Sequence, residues 1–297
     1  MGKIAAELER ALARREAEGV KGAVMPRVLA HGAGWSVDDV LCTSGPRDRP
    51  FEERHEHVCV AMVAAGAFEY RSRAGSGLMT PGAIMLGNAG ACFECGHRHR
   101  AGDRCIAFRY TPGCFEQIAA DAGIRSRDAR FAAVRLPPLR PLAPLVAAAC
   151  AGVVSEAGVA WDELAPAVAA LALRLAAGMP AEDPREVPAA ALARVAPVLC
   201  LIDSAPDDGL SVERLARHAG LSPYHFLRTF ERVTGVTPHQ YLLRARLRAA
   251  AQRLAEESAK IVDVALDCGF NDVSNFNHAF RAEFGASPRA YRMRMQG

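Results

Sequence analysis

Cysteine and histidine side chains are concentrated in one stretch of the chain. Five cysteines and four histidines lie between His55 and Cys114, out of nine of each in the whole sequence. The densest segment is Cys92-Phe-Glu-Cys-Gly-His-Arg-His99, and Cys105 follows shortly after it. Thiolate and imidazole groups are the ligands that Zn²⁺ and other thiophilic ions prefer. The segment therefore indicates metal or thiol chemistry.

Strand periodicity predicts which side chains form this site. In an extended strand Cys95, His97 and His99 point to one face, because side chains alternate with a period of two. A short turn at residues 101–103 would bring Cys105 back beside them. We expect the ligands of Zn²⁺ or another thiophilic metal ion to be Cys95, His97, His99 and Cys105. Two other interpretations stay open, namely a reactive-thiol sensor and cysteines that only pack a core.

The sequence around this segment has a β pattern. Short apolar runs predict strands at residues 58–63, 67–73, 83–86, 91–97 and 104–110. Turns are expected at Gly75-Ser-Gly77, Pro81-Gly82 and Ala101-Gly-Asp103. Several short antiparallel strands are typical of a small β-barrel or jelly roll.

A second feature is an internal repeat in the C-terminal part of the chain, where residues 215–241 correspond to residues 264–291. The offset is 49 up to the turn and 50 after it, which a one-residue insertion explains. The matched pairs include Ala216 with Ala265, Gly220 with Gly269, Phe226 with Phe276, Phe230 with Phe280, Pro238 with Pro288 and Tyr241 with Tyr291. So many matches at fixed spacing indicate one structural unit used twice.

Each copy predicts a helix, a tight turn and a second helix. Gly220 and Gly269 permit the turn, while Ser222, and Asn271 or Asp272, are suited to cap the second helix. In a helix-turn-helix unit the outer face of that second helix enters the major groove of DNA. The alternative is a pair of helical hairpins in an all-α domain without DNA binding.

The segment between the two copies predicts their spacing. From Pro238 to about Glu257 no helix breaker occurs, so we expect one helix of about 30 Å. This length is close to the roughly 34 Å that separates major-groove segments on one face of B-DNA. Charge agrees with DNA binding: from Ser211 onward 13 Lys and Arg stand against 8 Asp and Glu, whereas the preceding residues carry 23 against 25.

Residues 210–294 resemble the DNA-binding domain of the AraC/XylS family. The segments that carry the resemblance are Leu215-Ala-Arg-His-Ala-Gly-Leu-Ser222, Gly235-Val-Thr-Pro238, Val264-Ala-Leu-Asp-Cys-Gly-Phe270, Asp272-Val-Ser-Asn-Phe-Asn-His-Ala-Phe280 and Gly285-Ala-Ser-Pro288. More loosely, His55-Glu-His57 and Pro81-Gly82 resemble the cupin-type arm of such regulators. The resemblance implies a transcription regulator with an N-terminal sensor. Its partners would be double-stranded DNA, a second copy of the chain, a small effector of unknown identity and, for an activator, RNA polymerase.

Eight side chains are predicted to contact DNA because they lie opposite the buried phenylalanines of the two recognition helices. They are Tyr224, Leu227, Arg228 and Arg232 in the first unit, and Ser274, Asn275, His278 and Arg281 in the second. Arg228 is the strongest candidate for base recognition, since a guanidinium can bond guanine O6 and N7 together. Arginines 244, 246, 248 and 253 of the connecting helix are candidates for phosphate contacts.

The predicted architecture is an α+β multidomain chain. Residues 1–136 form a cupin-like β-barrel sensor, 137–180 a helical dimerisation segment, 181–204 a linker and lead-in helix, and 205–297 an all-α AraC-type domain with two helix-turn-helix units. No apolar run reaches the roughly 18 residues of a membrane span, and residues 1–20 do not resemble a secretory signal. We expect a cytoplasmic regulator rather than an enzyme. The alternative is a metal-dependent cupin enzyme fused to a DNA-binding module.

Overall fold

The N-terminal part of the chain forms two antiparallel β-sheets. The computed structural model describes residues 3–99, 101–125, 128–154, 159–178, 187–206 and 209–296. Its strands are β1 (Val24–Gly32), β2 (Trp35–Cys42), β3 (Phe51–Arg54), β4 (Val58–Gly66), β5 (Phe68–Ser72), β6 (Gly75–Met79), β7 (Ile84–Gly87), β8 (Cys92–Gly96), β9 (Asp103–Tyr110) and β10 (Arg135–Leu136). One sheet has the order β1-β2-β9-β4-β7-β10 and the other the order β3-β8-β5-β6.

The side chains of strand β4 lie alternately in two hydrophobic clusters, one on each face of the six-stranded sheet. Cys59, Ala61 and Val63 lie in a cluster that also contains Phe68 and Tyr70 of the four-stranded sheet. The alternate residues of β4, Val60 and Met62 among them, belong to a second cluster with the helices. Because side chains alternate along a strand, an almost wholly apolar β4 is buried on both faces. The two sheets therefore share one core, as a jelly-roll arrangement requires, whereas the closed cupin-like barrel stays a prediction.

Helices cover the other face of the six-stranded sheet. They are α1 (Lys3–Glu18), α2 (Pro112–Asp121), α3 (Ala143–Val154) and α4 (Trp161–Ala177). Helix α4 buries Leu164, Val168 and Leu173 in the same cluster as Val60 and Met62. The helical periodicity expected after residue 139 is thus present, and α3 and α4 pack onto their own chain.

The C-terminal part is entirely helical within the described residues. It contains α5 (Ala189–Ser204), α6 (Val212–His218), α7 (Pro223–Thr234), α8 (Pro238–Glu256), α9 (Ile261–Asp267), α10 (Val273–Phe284) and α11 (Pro288–Gln296). The lead-in helix expected up to Ser204 is α5, whereas residues 181–186 of the predicted linker lie outside the described residues. No described helix has the length and apolar character needed to cross a bilayer.

Several predictions for the strands need correction. All five predicted strands are present, but β1, β2, β3, β6 and β10 were not expected. Gly75-Ser-Gly77, predicted as a turn, belongs to β6, which pairs with β5 from Phe68 opposite Met79 to Ser72 opposite Gly75. The glycines suggested a turn, but β6 is an edge strand, where the missing side chains are tolerated.

Candidate nucleic-acid interface and cysteine–histidine cluster

The first candidate recognition helix, α7, is fixed at its start by local signals. Gly220 adopts φ +64° in the turn, a left-handed conformation that other residues rarely take. The Ser222 hydroxyl accepts a hydrogen bond from the His225 backbone N–H at 3.5 Å, and Pro223 opens the helix. Phe226 and Phe230 are fully buried, so the opposite side of α7 faces outward.

The outward face of α7 carries all four side chains predicted for the first unit. Tyr224 is 65% exposed, and Leu227, Arg228 and Arg232 are exposed as well. The Arg228 guanidinium lies 5.9 Å from the centre of the Tyr224 ring, a cation–π distance. This contact restricts the orientation of the guanidinium, and its bonding to a base edge stays a prediction.

The second candidate recognition helix, α10, repeats this arrangement with a stronger cap. The Asp272 carboxylate accepts hydrogen bonds from the backbone N–H groups of Ser274 at 2.9 Å and Asn275 at 3.1 Å. Of the two predicted caps, Asp272 is therefore the one that acts. The four side chains predicted for this unit are all exposed, namely Ser274, Asn275, His278 and Arg281.

The repeat extends to the packing of aromatic rings. Phe230 meets Tyr241 edge-on at 5.7 Å and 79°, and Phe280 meets Tyr291 at 5.3 Å and 80°. Helix α8 contributes to both cores, with Leu242 in the first cluster and Leu254 in the second. Its 19 residues correspond to about 28 Å. One helix thus joins two units of the same internal geometry.

The four arginines of the connecting helix α8 all have intramolecular partners. Arg244 pairs with Glu283 at 3.4 Å, and Arg253 pairs with Asp267 at 2.9 Å. Arg246 donates to the carbonyl of Pro206, while Arg248 lies over the Tyr241 ring. Each of these four side chains thus has an intramolecular partner, and their phosphate contacts stay a prediction.

Two exposed side chains were missing from the predicted contact set. His225 occupies the position of Asn275 in the repeat, and Asn277 occupies that of Leu227. Both are exposed on the outward faces of α7 and α10. The 50-residue offset was the signal that could have identified them, since equivalent positions in the two units face the same way.

Comparison with known proteins agrees with this geometry. Residues 215–294 match a family model described as a helix-turn-helix domain. Over 82 residues the chain is 43% identical to the probable transcriptional regulator LumQ of Photobacterium leiognathi. Over 90 residues it is 38% identical to the HTH-type transcriptional activator RhaS of Escherichia coli O139:H28. The C-terminal domain is an AraC-type helix-turn-helix domain.

These matches cover one part of each protein. The LumQ match covers 28% of this chain and 33% of LumQ, and the RhaS match covers 30% and 32%. The chain therefore spans about a third of the length of these relatives. A transcriptional regulator from Chromobacterium violaceum with an AraC-type DNA-binding domain is 29% identical, covering 36% of this chain and 96% of that chain with a TM-score of 0.34.

Outside the AraC-type domain, the predicted metal ligands are not brought together as a set. Strand β8 ends at Gly96, so the alternation that was to align His97 and His99 with Cys95 does not continue. Strands β8 and β9 also lie in different sheets, so Cys95 and Cys105 are not strand neighbours, although both are buried in the core between the sheets. His99 instead lies 3.4 Å from the Glu69 carboxylate.

A different group converges on His97. Cys42 at the end of β2 and Asp103 at the start of β9 are cross-strand partners, and His97 Nε2 lies 2.6 Å from Asp103 Oδ1. Ligand atoms of Cys42, His97 and Asp103 all lie within 4.8 Å of one another, and all three residues are buried. Burial alone would lower the pKa of His97, but the Asp103 carboxylate and the Cys42 sulfur raise it to about 9.

The neighbouring thiols are poor nucleophiles. Burial, together with the charge of Asp103, raises the pKa of the Cys95 and Cys105 thiols well above the usual value. The Cys105 thiol donates to Asp103 Oδ2 at 3.1 Å. Since the thiolate is the reactive form, Cys95 and Cys105 are unsuited to rapid oxidation at neutral pH. The geometry favours a metal site or core packing over a thiol sensor at these two residues.

Proposed function

We propose that this chain is a sequence-specific DNA-binding transcription regulator, controlled by a signal sensed in its cysteine- and histidine-rich N-terminal region. The observation that carries the proposal is the pair of outward faces on α7 and α10. These faces hold exposed arginine, asparagine and histidine side chains at equivalent positions of a duplicated unit. Such groups can bond base edges and phosphates in the major groove.

Double-stranded DNA is the partner that the charge distribution favours. The excess of basic residues lies from Ser211 onward, on the part of the chain that carries both recognition helices. Neutralising phosphates releases counterions from DNA, so binding should weaken steeply as salt increases. The names of LumQ and RhaS, a regulator and an activator, support the same function and give no support to the alternative of a metal-dependent enzyme.

Contacts between the two parts of the chain provide a route for the signal. Arg135 Nη1 donates to the Leu78 carbonyl at 3.0 Å and to the Val233 carbonyl at 2.7 Å. Val233 lies at the end of α7, where a cation also interacts favourably with the helix dipole. In the second unit, Ala143 and Ala147 of α3 pack against the AraC-type core. A rearrangement of the sensor would therefore reach both recognition helices.

The proposal also includes a homodimer of the chain. The regulator would act as a homodimer through the segment 137–180, and it would contact RNA polymerase if it activates transcription. Seven residues of α4 are buried within their own chain, which leaves the remaining faces of α3 and α4 for a partner copy. Sedimentation of the full chain would test the dimer independently of DNA binding.

The first experiment identifies the preferred DNA site by in vitro selection and measures the affinity of the full chain for it. In Arg228→Ala we expect affinity for the selected site to fall by about 1 to 3 kcal/mol, with relaxed preference at one base pair. Arg10→Ala is the matched control, because it removes the same charge from an exposed position on α1, outside the recognition helices and the proposed dimerisation segment.

Equal effects of the two substitutions would show that Arg228 contributes only general charge. Unchanged affinity and base preference in Arg228→Ala would remove it from the interface. Selection that enriches no sequence would contradict sequence-specific binding as a whole.

A further inference from the structure

The group around His97 is assembled from distant parts of the sequence. Cys42 comes from β2, His97 from the segment after β8, and Asp103 with Cys105 from β9. Each of the four residues is at most 7% exposed. Buried polar and thiol groups of this kind are seldom gathered in a β-core unless they bond one another or hold a ligand.

The hydrogen bonds inside this group leave part of its capacity unused. The His97 side chain is 1% exposed, and within the described residues its Nδ1 atom has no hydrogen-bond partner. Asp103 accepts from both sides, with Oδ1 toward His97 and Oδ2 toward Cys105. An imidazole nitrogen without a partner, beside a carboxylate and two thiols, has the composition of a metal centre.

The spacing is compatible with a tetrahedral ion. Zn–S bonds of about 2.3 Å and Zn–N or Zn–O bonds of about 2.0 Å place neighbouring ligand atoms roughly 3.3 to 3.8 Å apart. The ligand atoms of Cys42, His97 and Asp103 lie within 4.8 Å of one another. Small rotations about side-chain bonds would therefore bring these three to an ion. Cys105 lies outside this group, with its Sγ 3.1 Å from Asp103 Oδ2, and a larger rotation of its side chain would complete the tetrahedron.

We propose that Cys42, His97, Asp103 and Cys105 bind one Zn²⁺ or another thiophilic divalent ion. Binding displaces the thiol protons of Cys42 and Cys105 and the proton that makes His97 an imidazolium at neutral pH. These three protons pass to solvent, and the hydrogen bonds that Asp103 accepts are replaced by a bond to the ion. Two thiolates, one carboxylate and a neutral imidazole give the donor set that zinc prefers in proteins. The site differs from the one predicted by sequence, since Cys42 and Asp103 take the places of Cys95 and His99.

The position of the site beside helix α5 links a bound ion to the first recognition helix. This link, unlike the metal site itself, rests on the proposed function. The segment from His97 to His99 lines a narrow cleft together with Leu199 and Asp203 of α5. Helix α5 in turn shares a core with α7, through Val195 and Phe226 among others. An ion at His97 would therefore act on the helix that supports the first recognition helix.

The test uses the full chain, freed of metal and then titrated with Zn²⁺ or Co²⁺. We expect one ion per chain, and a cobalt form with thiolate-to-metal absorption in the near ultraviolet and tetrahedral ligand-field bands. Cys42→Ser and Asp103→Asn should each weaken binding at least tenfold. His99→Gln and Cys92→Ser should retain the affinity of the parent chain, because His99 pairs with Glu69 and Cys92 is exposed.

Several outcomes would overturn the site. A parent chain that gives no thiolate–cobalt band, with all nine thiols free to titrate, would exclude it even if the variants fail to fold. Loss of metal in His99→Gln with retention in Cys42→Ser would restore the ligands predicted from sequence and reject this set. Binding to duplex DNA is measured separately on the metal-free chain. If the metal-free chain does not bind DNA, the proposed regulator is rejected and the metal site is unaffected. If the chain binds DNA but no ion, the metal site is rejected and the proposed regulator is unaffected.

Discussion

At the scale of single residues, His55 is a titratable side chain buried in the N-terminal core. Its ring stacks on Phe93 at 4.1 Å, and Nε2 lies 2.9 Å from the Tyr70 hydroxyl. Burial lowers the pKa of His55 to about 4, with a smaller contribution from the Arg109 charge. The folded state therefore holds this imidazole neutral. It lies among aromatic side chains and is not part of the group formed by Cys42, His97 and Asp103.

This pKa predicts an acid-labile core. Between pH 6.5 and 4 the unfolded chain binds a proton at His55 that the folded chain does not, so the free energy of unfolding decreases as pH falls. The decrease from this residue is up to about 3 kcal/mol. Urea unfolding across this pH range measures it. His55→Gln should flatten the decline, whereas His57→Gln should leave it unchanged. The same slope in all three proteins would contradict the assignment.

Residue-scale predictions from sequence succeeded where the signal was local. Helical spacing from Phe226 and Phe276 was enough to predict that the eight candidate contact residues face outward, although their binding to DNA stays a prediction. The proposed metal ligands needed long-range information instead. Cys42 reaches Asp103 only through the pairing of β2 with β9, and no local pattern indicates which strands pair.

At the scale of elements, the two helix-turn-helix units depend on their turn glycines. Gly220 has φ +64° and Gly269 has φ +83°, and each follows the first helix of its unit. In Gly220→Ala we expect the free energy of unfolding of the AraC-type domain to fall by about 1 to 2 kcal/mol, because a side chain is strained in the left-handed region. Chemical denaturation followed by circular dichroism measures this change.

Gly113→Ala provides a control of opposite sign. Gly113 lies in α2, has no positive φ, and a methyl group there would meet no atom within 4 Å. Alanine is favoured over glycine in helices by about 1 kcal/mol, so this variant should be neutral or more stable. Equal destabilisation by both changes would show that φ at Gly220 is not the cause.

The prediction missed strand β2 because charges are buried there. Strand β2 contains Asp38 and Asp39, which argue against a core strand when the sequence is considered locally. In the structure Arg104 donates to both oxygens of Asp39 at 2.8 Å and also pairs with Glu7 of α1. A partner 65 residues away makes the buried carboxylate tolerable, and local sequence cannot supply that partner.

At the scale of the whole molecule, the AraC-type domain and the sensor are packed against each other. A cavity of about 720 Å³ lies between them, lined by Leu8, Val63, Val146, Arg248 and Tyr291 among others. Residues of α1, β4 and α3 thus face α8 and α11 across one shared space. Sequence alone predicted the two parts and their order, but the contacts between them depend on tertiary packing.

Helix α8 is proposed to hold α7 and α10 at the spacing of two successive major-groove segments on one face of DNA. The most direct test measures affinity for the selected site after insertion of five base pairs between its two contacted segments. Half a helical turn moves the segments to opposite faces, so affinity should fall at least tenfold, to that of a site with only one of the two segments. Unchanged affinity for the lengthened site would contradict simultaneous binding by α7 and α10.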